Sequence, residues 1–537
     1  MDAKSLKNLG LDLFSKKLPL NNLWQEISEN FYPERADFTV LRTLSDEFAS
    51  NLMTSYPILV RRDLGNQLTT MLRPTAKQWF HPGIKHKEKK GHDTKQFLEW
   101  TEKVQRRAMY DKGAKFSRAT KEGDHDFAAF GQCAISVEMN RNANGLLYRC
   151  WHLRDMAWQE NEEGDIGAVF RKWNPTLQTL DRTFHGKLDP KIAEKLDKTP
   201  FELAHVMHMV VDADMYSEKA GDKPRWSIWY DLDNDVLIEA VPIYGKHYVI
   251  PRFQTVSGSQ YAYSPATVAA LPDARLIQAM TYSLLEAGEK ATNPPIVATQ
   301  GAVKSDVAIY AGGITWVDQE YDEKLGAALK PIPQDLRGMN TGFEMTRDTR
   351  ALLEKCFFLD TLRMPMDGRE MTAYETAKRV EQYIRNALPI FEPMEEDYNG
   401  NICDESFELL WRNGAYGDPR NWPDELHGAE IEFSFESPLH DAIDEQKGMK
   451  FQQANALLGE AMAMDPRLGA LPKAEVALRD ALEGIGVPST WINSEQEYED
   501  KVAEMEQVQQ QQAQLAAMEQ ASKVAKNMGD ASGGGMI

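Results

Sequence analysis

Four groups of side chains in this sequence have types and spacings that could do chemistry. His205-x-x-His208 is the nearest approach to a metal-binding pair. It falls in a strand-like run, where positions three apart point to opposite faces, so ordinary strand histidines are the preferred reading. Asp124-His125-Asp126 could form a base between two orienting carboxylates, but a polar helix surface is preferred. Lys85-His86-Lys87-Glu88-Lys89-Lys90 could meet phosphate or an acidic partner, yet it has no interleaved aromatics for stacking bases and reads as part of a solvated loop, Lys85 to Lys95. Arg363 and Arg369 flank the short Pro/Gly loop Met364-Pro365-Met366-Asp367-Gly368. An arginine near a helix C-terminus has an ordinary electrostatic use, which suits Arg363 better than Arg369. Motifs that would announce an enzyme are missing: there is no Gly-x-x-x-x-Gly-Lys-[Ser/Thr] phosphate loop, no His-Glu-x-x-His and no Gly-x-Ser-x-Gly.

The composition narrows the field further. Among 537 residues, 61 Lys and Arg stand against 82 Asp and Glu, a formal charge of −21. Counterion release needs cations, so this balance argues against a protein that grips nucleic-acid phosphates. With 42% apolar and 27% charged residues the chain is globular, long enough for a sizeable core and for three or four structural units. Cys133, Cys150, Cys356 and Cys403 show no Cys-x-x-Cys and no regular spacing, which suggests a reduced, cytoplasm-like setting. Met1 to Leu20 has no apolar core of a secretory signal, and no stretch approaches the roughly 18 apolar residues of a membrane span.

These residues must be positioned by the surrounding elements. Helical spacing is clear in Leu23–Phe31, from Pro57 to Met71, in Phe97–Ala108 and over Phe116–Phe130. Ala134–Met139, Leu146–Trp151, Ile166–Trp173, Ala204–Val211 and Trp226–Leu237 read as strands, which makes an α+β unit of the first half. A helix is predicted from Pro272-Asp273 to Asn293, and a second from the capping box Thr341-x-x-Glu344, carrying Leu352, Leu353, Phe357, Leu359 and Leu362 to Pro365. Each would be on the order of 30 Å long. Between them, Ile296–Thr299, Val307–Tyr310, Ile314–Val317 and Ala327–Ile332 read as short strands, so two rods bracket a small β module. A helix opens at Thr372-x-x-Glu375, another covers about 391 to 412, and Glu430–Phe435 reads as a strand. Helices resume at about 441–464 and 473–484. From Ser494-x-x-Glu497 a Gln/Ala-rich helix with a thin apolar stripe runs toward Gly529, and such a helix needs neighbours to be stable.

The order of these parts resembles the podovirus-type portal, or head-to-tail connector, family of tailed phages. Leu23-Trp24-Gln25-Glu26-Ile27 with Tyr32-Pro33, then Leu64-Gly65-Asn66-Gln67-Leu68 with Leu72-Arg73-Pro74 and Trp79-Phe80, is similar to the family's N-terminal helices. Phe127 to Met139 resembles its helix-to-strand passage. Pro251-Arg252-Phe253, Tyr261-Ala262-Tyr263-Ser264-Pro265 and Leu271-Pro272-Asp273 resemble its wing-to-stem junction, although Ala262 stands where relatives usually have Gly. Met371-Thr372-Ala373-Tyr374-Glu375 is similar to the helix start after the family's tunnel loop.

The resemblance implies an α+β portal fold, with an α/β wing at 1–272, stem helices at 273–292 and 341–364, and a β-rich clip at 293–340. It implies a tunnel loop at 365–371, a return to the wing at 372–435, a crown at 436–493, a C-terminal barrel helix at 494–528 and a disordered tail at 529–537. The function implied is a ring, usually of twelve subunits, at one capsid vertex, through which double-stranded DNA is packaged and ejected. Expected partners are neighbouring copies, the DNA, the large terminase, tail adaptor proteins, and the major capsid and scaffolding proteins, in the virion and, during assembly, the host cytoplasm. No membrane, cofactor, metal or catalytic residue is implied. Arg363, Met364, Met366 and Arg369 would face the DNA channel. An acidic wall suits a conduit, because it repels phosphates and leaves no sticking sites. The competing readings are a phage-encoded DNA-processing enzyme, such as a nuclease, and an internal scaffold or core protein.

Overall fold

The computed structural model describes residues 1–40, 51–75, 77–85, 91–184, 188–298, 303, 306–307, 315–318, 324, 329–332, 337–362, 385–386, 394–435, 451, 454–460, 462, 473–484, 487, 491–493 and 495–532. Asp2 accepts a hydrogen bond from the Ser5 amide (3.0 Å) and caps α1 (Ala3–Lys16), which leads into α2 (Leu18–Phe31) and α3 (Tyr56–Leu72). β1 (Phe80–Ile84), α4 (His92–Met109) and α5 (Phe116–Phe130) follow. Strands then take over: β2 (Ala134–Met139), β3 (Leu146–Trp151), β4 (Met156–Glu160) and β5 (Ile166–Trp173). Helices α6 (Leu177–Phe184) and α7 (Pro190–Lys198) precede β6 (Val206–Asp212), β7 (Arg225–Asp231), β8 (Val236–Ile243) and β9 (Tyr248–Val249). Next come α8 (Pro265–Thr292), β10 (Ile296–Ala298), β11 (Leu329–Pro331), α9 (Arg337–Cys356) and α10 (Leu359–Leu362). A π-helical turn (Glu395–Gly400) enters α11 (Asn401–Arg412), followed by β12 (Ile431–Phe435), α12 (Ala474–Gly484) and α13 (Glu495–Ser532). This mixture of helix and sheet is the α+β class expected from the sequence.

Two compact units emerge. The first joins Met1–Trp79 to Gln105–Ala415, and the second joins Phe80–Val104 to Tyr416–Ile537. In the first unit an antiparallel sheet has the order β4-β5-β6-β7-β8. Leu6, Leu13 and Phe14 of α1 pack on one of its faces with Phe170, Met207, Met209 and Ile228. Leu177, Leu180 and Phe184 of α6 and Ile192 of α7 form a separate apolar cluster with Ala204 and Val206. A three-stranded sheet, β3-β2-β9, lies beside α5. In the second unit β1 pairs antiparallel with β12, from Phe80↔Phe435 to Ile84↔Ile431, and Phe80 meets Phe433 edge-on with ring centroids 5.9 Å apart. Phe97 of α4 packs on Trp422 (5.4 Å), and Glu425 accepts from the Gly91 amide (3.1 Å) and Thr94 hydroxyl (2.8 Å).

Several expectations need correction. The helix expected from Pro272 begins at Pro265, with Pro272 inside it; burial of Ala266, Ala270 and Ala274 and a cap at Ser264 carry it through the missing amide. The helix expected from Thr341 begins at Arg337, so Thr341 is interior and caps nothing. That rod also stops at Cys356, where Phe357-Phe358 turn with Phe358 at φ 57°, before the short α10. The run Trp226–Leu237 is two strands of a hairpin, turned at Leu232–Asp235 with Asp235 at φ 56°. Of the expected solvated loop, Lys85 continues the ladder through its amide to the Glu430 carbonyl (3.0 Å), and His92 to Lys95 are helical. The terminal helix passes Gly529 and continues to Ser532. The expected helix from Thr372 to Pro389 falls outside the described residues apart from 385–386, and of the one expected at about 441–464 the described residues, 451, 454–460 and 462, are helical.

Candidate functional site

The rods need an anchor, and α5 supplies it. Asp124, His125 and Asp126 were expected on a polar helix surface; Asp124 and Asp126 are instead buried, and all three meet an arginine. Asp124 pairs with Arg73 and accepts from Thr69 Oγ1 (2.7 Å). Arg73 also donates to Asn399 Oδ1 (2.7 Å) and lies 4.5 Å from the Tyr398 ring centroid. His125 Nδ1 lies 3.0 Å from Arg61 Nη1. Burial and then the Arg61 charge hold His125 down to about 4, so its neutral ring accepts from Arg61. Asp126 takes Arg35 in a fork, Nε at 3.0 Å and Nη2 at 2.6 Å. Successive helix positions are about 100° apart, so the three contacts reach out in different directions. They fasten α5 to both ends of α3 and to the Pro33–Arg35 turn. Arg73 finds Asn399 because the π-helical turn swings Tyr398 and Asn399 into the interior.

The C-terminus of α5 then receives the first rod. Gly131 ends α5 at φ 74°, and a Cβ there would lie 2.1 Å from the Tyr263 carbonyl carbon. Only glycine allows both that dihedral and that backbone crossing. The adjacent Ser264 caps α8 and donates to the Ala128 carbonyl (2.7 Å), while Thr267 Oγ1 donates to the Ala129 carbonyl (2.7 Å). Buried positions on α8 end at Ile277; beyond it, Gln278 still bonds the Met53 and Thr54 backbone and the helix runs beside α9. At the far end β10 pairs antiparallel with β11 (Ile296↔Pro331 to Ala298↔Leu329), and Val303 bridges Val317. Between the rods a cavity of about 540 Å³ is lined by Ala279, Ser283, Ala287, Gly338, Gly342 and Met345, among others.

The four residues singled out for the channel, Arg363, Met364, Met366 and Arg369, lie outside the described residues, directly after α10. His205 and His208 are not brought together: exposed His205 pairs with Asp233 (3.0 Å), and buried His208 stacks on Trp229 (3.9 Å between centroids) between Tyr248 and Ser227. Among the described residues no group of three His, Cys, Asp or Glu could hold a metal, and no helix is long and apolar enough to cross a membrane. All four cysteines are free. Sequence reasoning placed Leu285 and Leu352 in the rods' apolar stripes but missed that they, with Tyr282 and Phe343, stand exposed; the signal was an apolar residue where a lone hairpin needs a polar one.

The arrangement defines a structural class before any chemistry: an α+β unit that anchors a two-helix rod with a β module at its tip. A sequence profile of the bacteriophage head to tail connecting protein family matches residues 4–492, and the chain belongs to that family. It is 23% identical over 333 residues to the portal protein of Salmonella phage epsilon15, an alignment covering 60% of this chain and 58% of that protein. The chain therefore matches little more than half the length of that relative. A structure of the virion of the native gene transfer agent particle covers 75% of this chain and 86% of its own, at 10% identity and a TM-score of 0.38.

Proposed function

We propose that this chain is the portal subunit of a tailed phage: a ring of copies, twelve by analogy with the family, that carries double-stranded DNA into and out of the capsid. The observation that carries the reading is the family match across residues 4–492. Two features support it. The outer halves of the rods, and Met505, Val508, Leu515 and Met518 of α13, keep apolar groups exposed in a single chain, as a subunit waiting for neighbours would. The rods 265–292 and 337–356 serve as stem, and the β10–β11 module serves as the clip that docks the large terminase and later the tail adaptors. The segment 363–371 narrows the channel, with Arg363, Met364, Met366 and Arg369 toward DNA. Residues beyond 435 form crown and barrel, in contact with capsid or scaffolding proteins, and the protein resides in the virion. The role is mechanical, with ATP hydrolysis left to the terminase.

Electron microscopy of the purified full chain tests this directly. Rings of about twelve copies that leave DNA intact in Mg²⁺ are expected; a monodisperse monomer that cuts DNA would overturn the reading in favour of a nuclease. Charge reversal at Arg363 and Arg369 together should impair DNA packaging or retention, and unchanged packaging removes the channel role of that pair.

A further inference from the structure

The rods have two unlike sides, and we infer that they are the two halves of one contact: Leu285 and Phe343 of each copy seat in the α8–α9 groove of the next. The inference rests on the ring reading above and names the surfaces that close the ring.

One side is a hollow. Small residues of both rods line it, Ala279, Ser283 and Ala287 on α8 and Gly338 and Gly342 on α9, together with larger ones that include Met345 and the Glu286–Lys290 ion pair (2.6 Å). Gly342 brings the rods close, since a Cβ there would lie 2.8 Å from Leu284 Cδ2. The other side carries knobs. Two residues along a helix turn about 200°, so Leu285 points away from Ser283, and Phe343 points away from Met345. Neither Leu285 nor Phe343 lines the cavity, and they are 59% and 56% exposed. Because Gly342 faces Leu284, the next residues Phe343 and Leu285 stand level with the middle of the hollow. A hole on one flank and knobs at the same level on the other make a head-to-tail interface, which closes by rotation alone and needs no second kind of surface.

Charge agrees with shape. On α9, Arg347 lies toward the knob flank and Asp348, about 100° on, toward the groove flank. Both are exposed, so rotation to the next copy sets the cation of one beside the carboxylate of its neighbour. A second copy of this chain is therefore the occupant of the groove. A helical peptide of another protein would have no reason to match its level and charge.

Cysteine pairing reads the contact. Leu285 and Ala279 are about 9 Å apart along α8, too far for a bond within one chain. The double variant Leu285→Cys/Ala279→Cys, oxidised with copper phenanthroline, should give a disulfide-linked ladder from dimer to closed ring, and each single variant should give none. Independently, Arg347→Asp should lower the fraction in rings about tenfold through like charges, and adding Asp348→Arg should restore it. Wild-type rings with no ladder in the double variant, or no rescue by the charge swap, overturn this interface while leaving the portal reading intact. Absence of rings from the wild-type chain overturns the portal reading itself.

Discussion

Helix α8 is one element in two surroundings. From Ser264 to Ile277 its small residues are buried, its cap is shared with the Ala128 carbonyl, and α5 beneath it is fixed by three arginine contacts. From Gln278 to Thr292 it has no buried position, and Tyr282 and Leu285 stand in the open. The first half is anchored within one chain, by the Ser264 and Thr267 hydroxyls on the Ala128 and Ala129 carbonyls, although Val268 and Leu276 are 44% and 43% exposed. The second half is incomplete, because apolar groups on a lone rod gain nothing from folding. The difference separates what the subunit must do alone, which is to aim the rod, from what it does with others.

If the root is as saturated as this contrast requires, the largest effect in the molecule should come from Gly131. Gly131→Val would place a branched side chain at φ 74° and into the Tyr263-Ser264 backbone, with no flexible group able to yield. A loss of about 4 kcal/mol or more is expected, with little soluble protein recovered. Denaturant unfolding of Gly131→Val that matched wild type would break the comparison at its strongest point. Next in size is Asp124→Ala, which strands the buried guanidinium of Arg73. Its cost should be about 3–5 kcal/mol, and Asp124→Ala/Arg73→Met should recover part of that loss, because removing both charges leaves none unpaired.

The pH dependence of stability sharpens the same contrast at a smaller scale. His125 has a folded pKa of about 4 against 6.5 in the unfolded chain, through burial first and Arg61 second. Its folded value is depressed, so the unfolded state binds the proton first as acid is added. Stability is full above pH 6.5 and falls as pH drops from 6.5 toward 4. One proton corresponds to about 1.4 kcal/mol per pH unit, and allowing for the part of His125 open to solvent the loss is about 2 kcal/mol across the window. His208 and His247, also depressed by burial, add to the wild-type slope. The difference between wild type and His125→Gln therefore isolates one residue: the variant should lose stability less steeply in acid. Equal slopes would mean that His125 is not the neutral acceptor of Arg61.

Much of this fold was legible in the sequence, and the exceptions share a cause. Phe116–Phe130, Pro57–Met71 and the strands at 134–139, 146–151 and 166–173 were read close to their observed bounds, because each is a dense apolar run; the strands at 134–139 and 166–173 are buried at consecutive positions, on both faces. The helix starts expected at Pro272 and Thr341 failed because local cap chemistry was taken to outweigh burial; the real boundary is set by Ser264 reaching Ala128, a residue far away in the chain. Asp124 and Asp126 were misplaced for the same reason, since nothing near them in sequence announces Arg73 and Arg35. The candidate site was less legible still. The knob-and-hollow character of the rods depends on how α8 faces α9, which no single helical period contains. The alternation of small residues at 279, 283 and 287 was visible, but it reads equally well as a helix packed in a core.

The smallest expected effect is the one that tests the second half of the comparison. Leu285→Ser and Tyr282→Ser remove large apolar groups from positions more than half exposed in the single chain. If those groups serve only neighbouring copies, the unassembled subunit should not miss them, and its unfolding free energy should stay within about 0.5 kcal/mol of wild type. Ring formation should nonetheless suffer for Leu285→Ser, whose side chain would seat in the adjacent groove, and less for Tyr282→Ser, which lies at the flank. Measuring unfolding of dissociated subunits and the fraction in rings on the same samples separates the two quantities. A subunit destabilised by a kilocalorie or more would mean that Tyr282 and Leu285 already pack within their own chain, and the division drawn at Ile277 would be wrong.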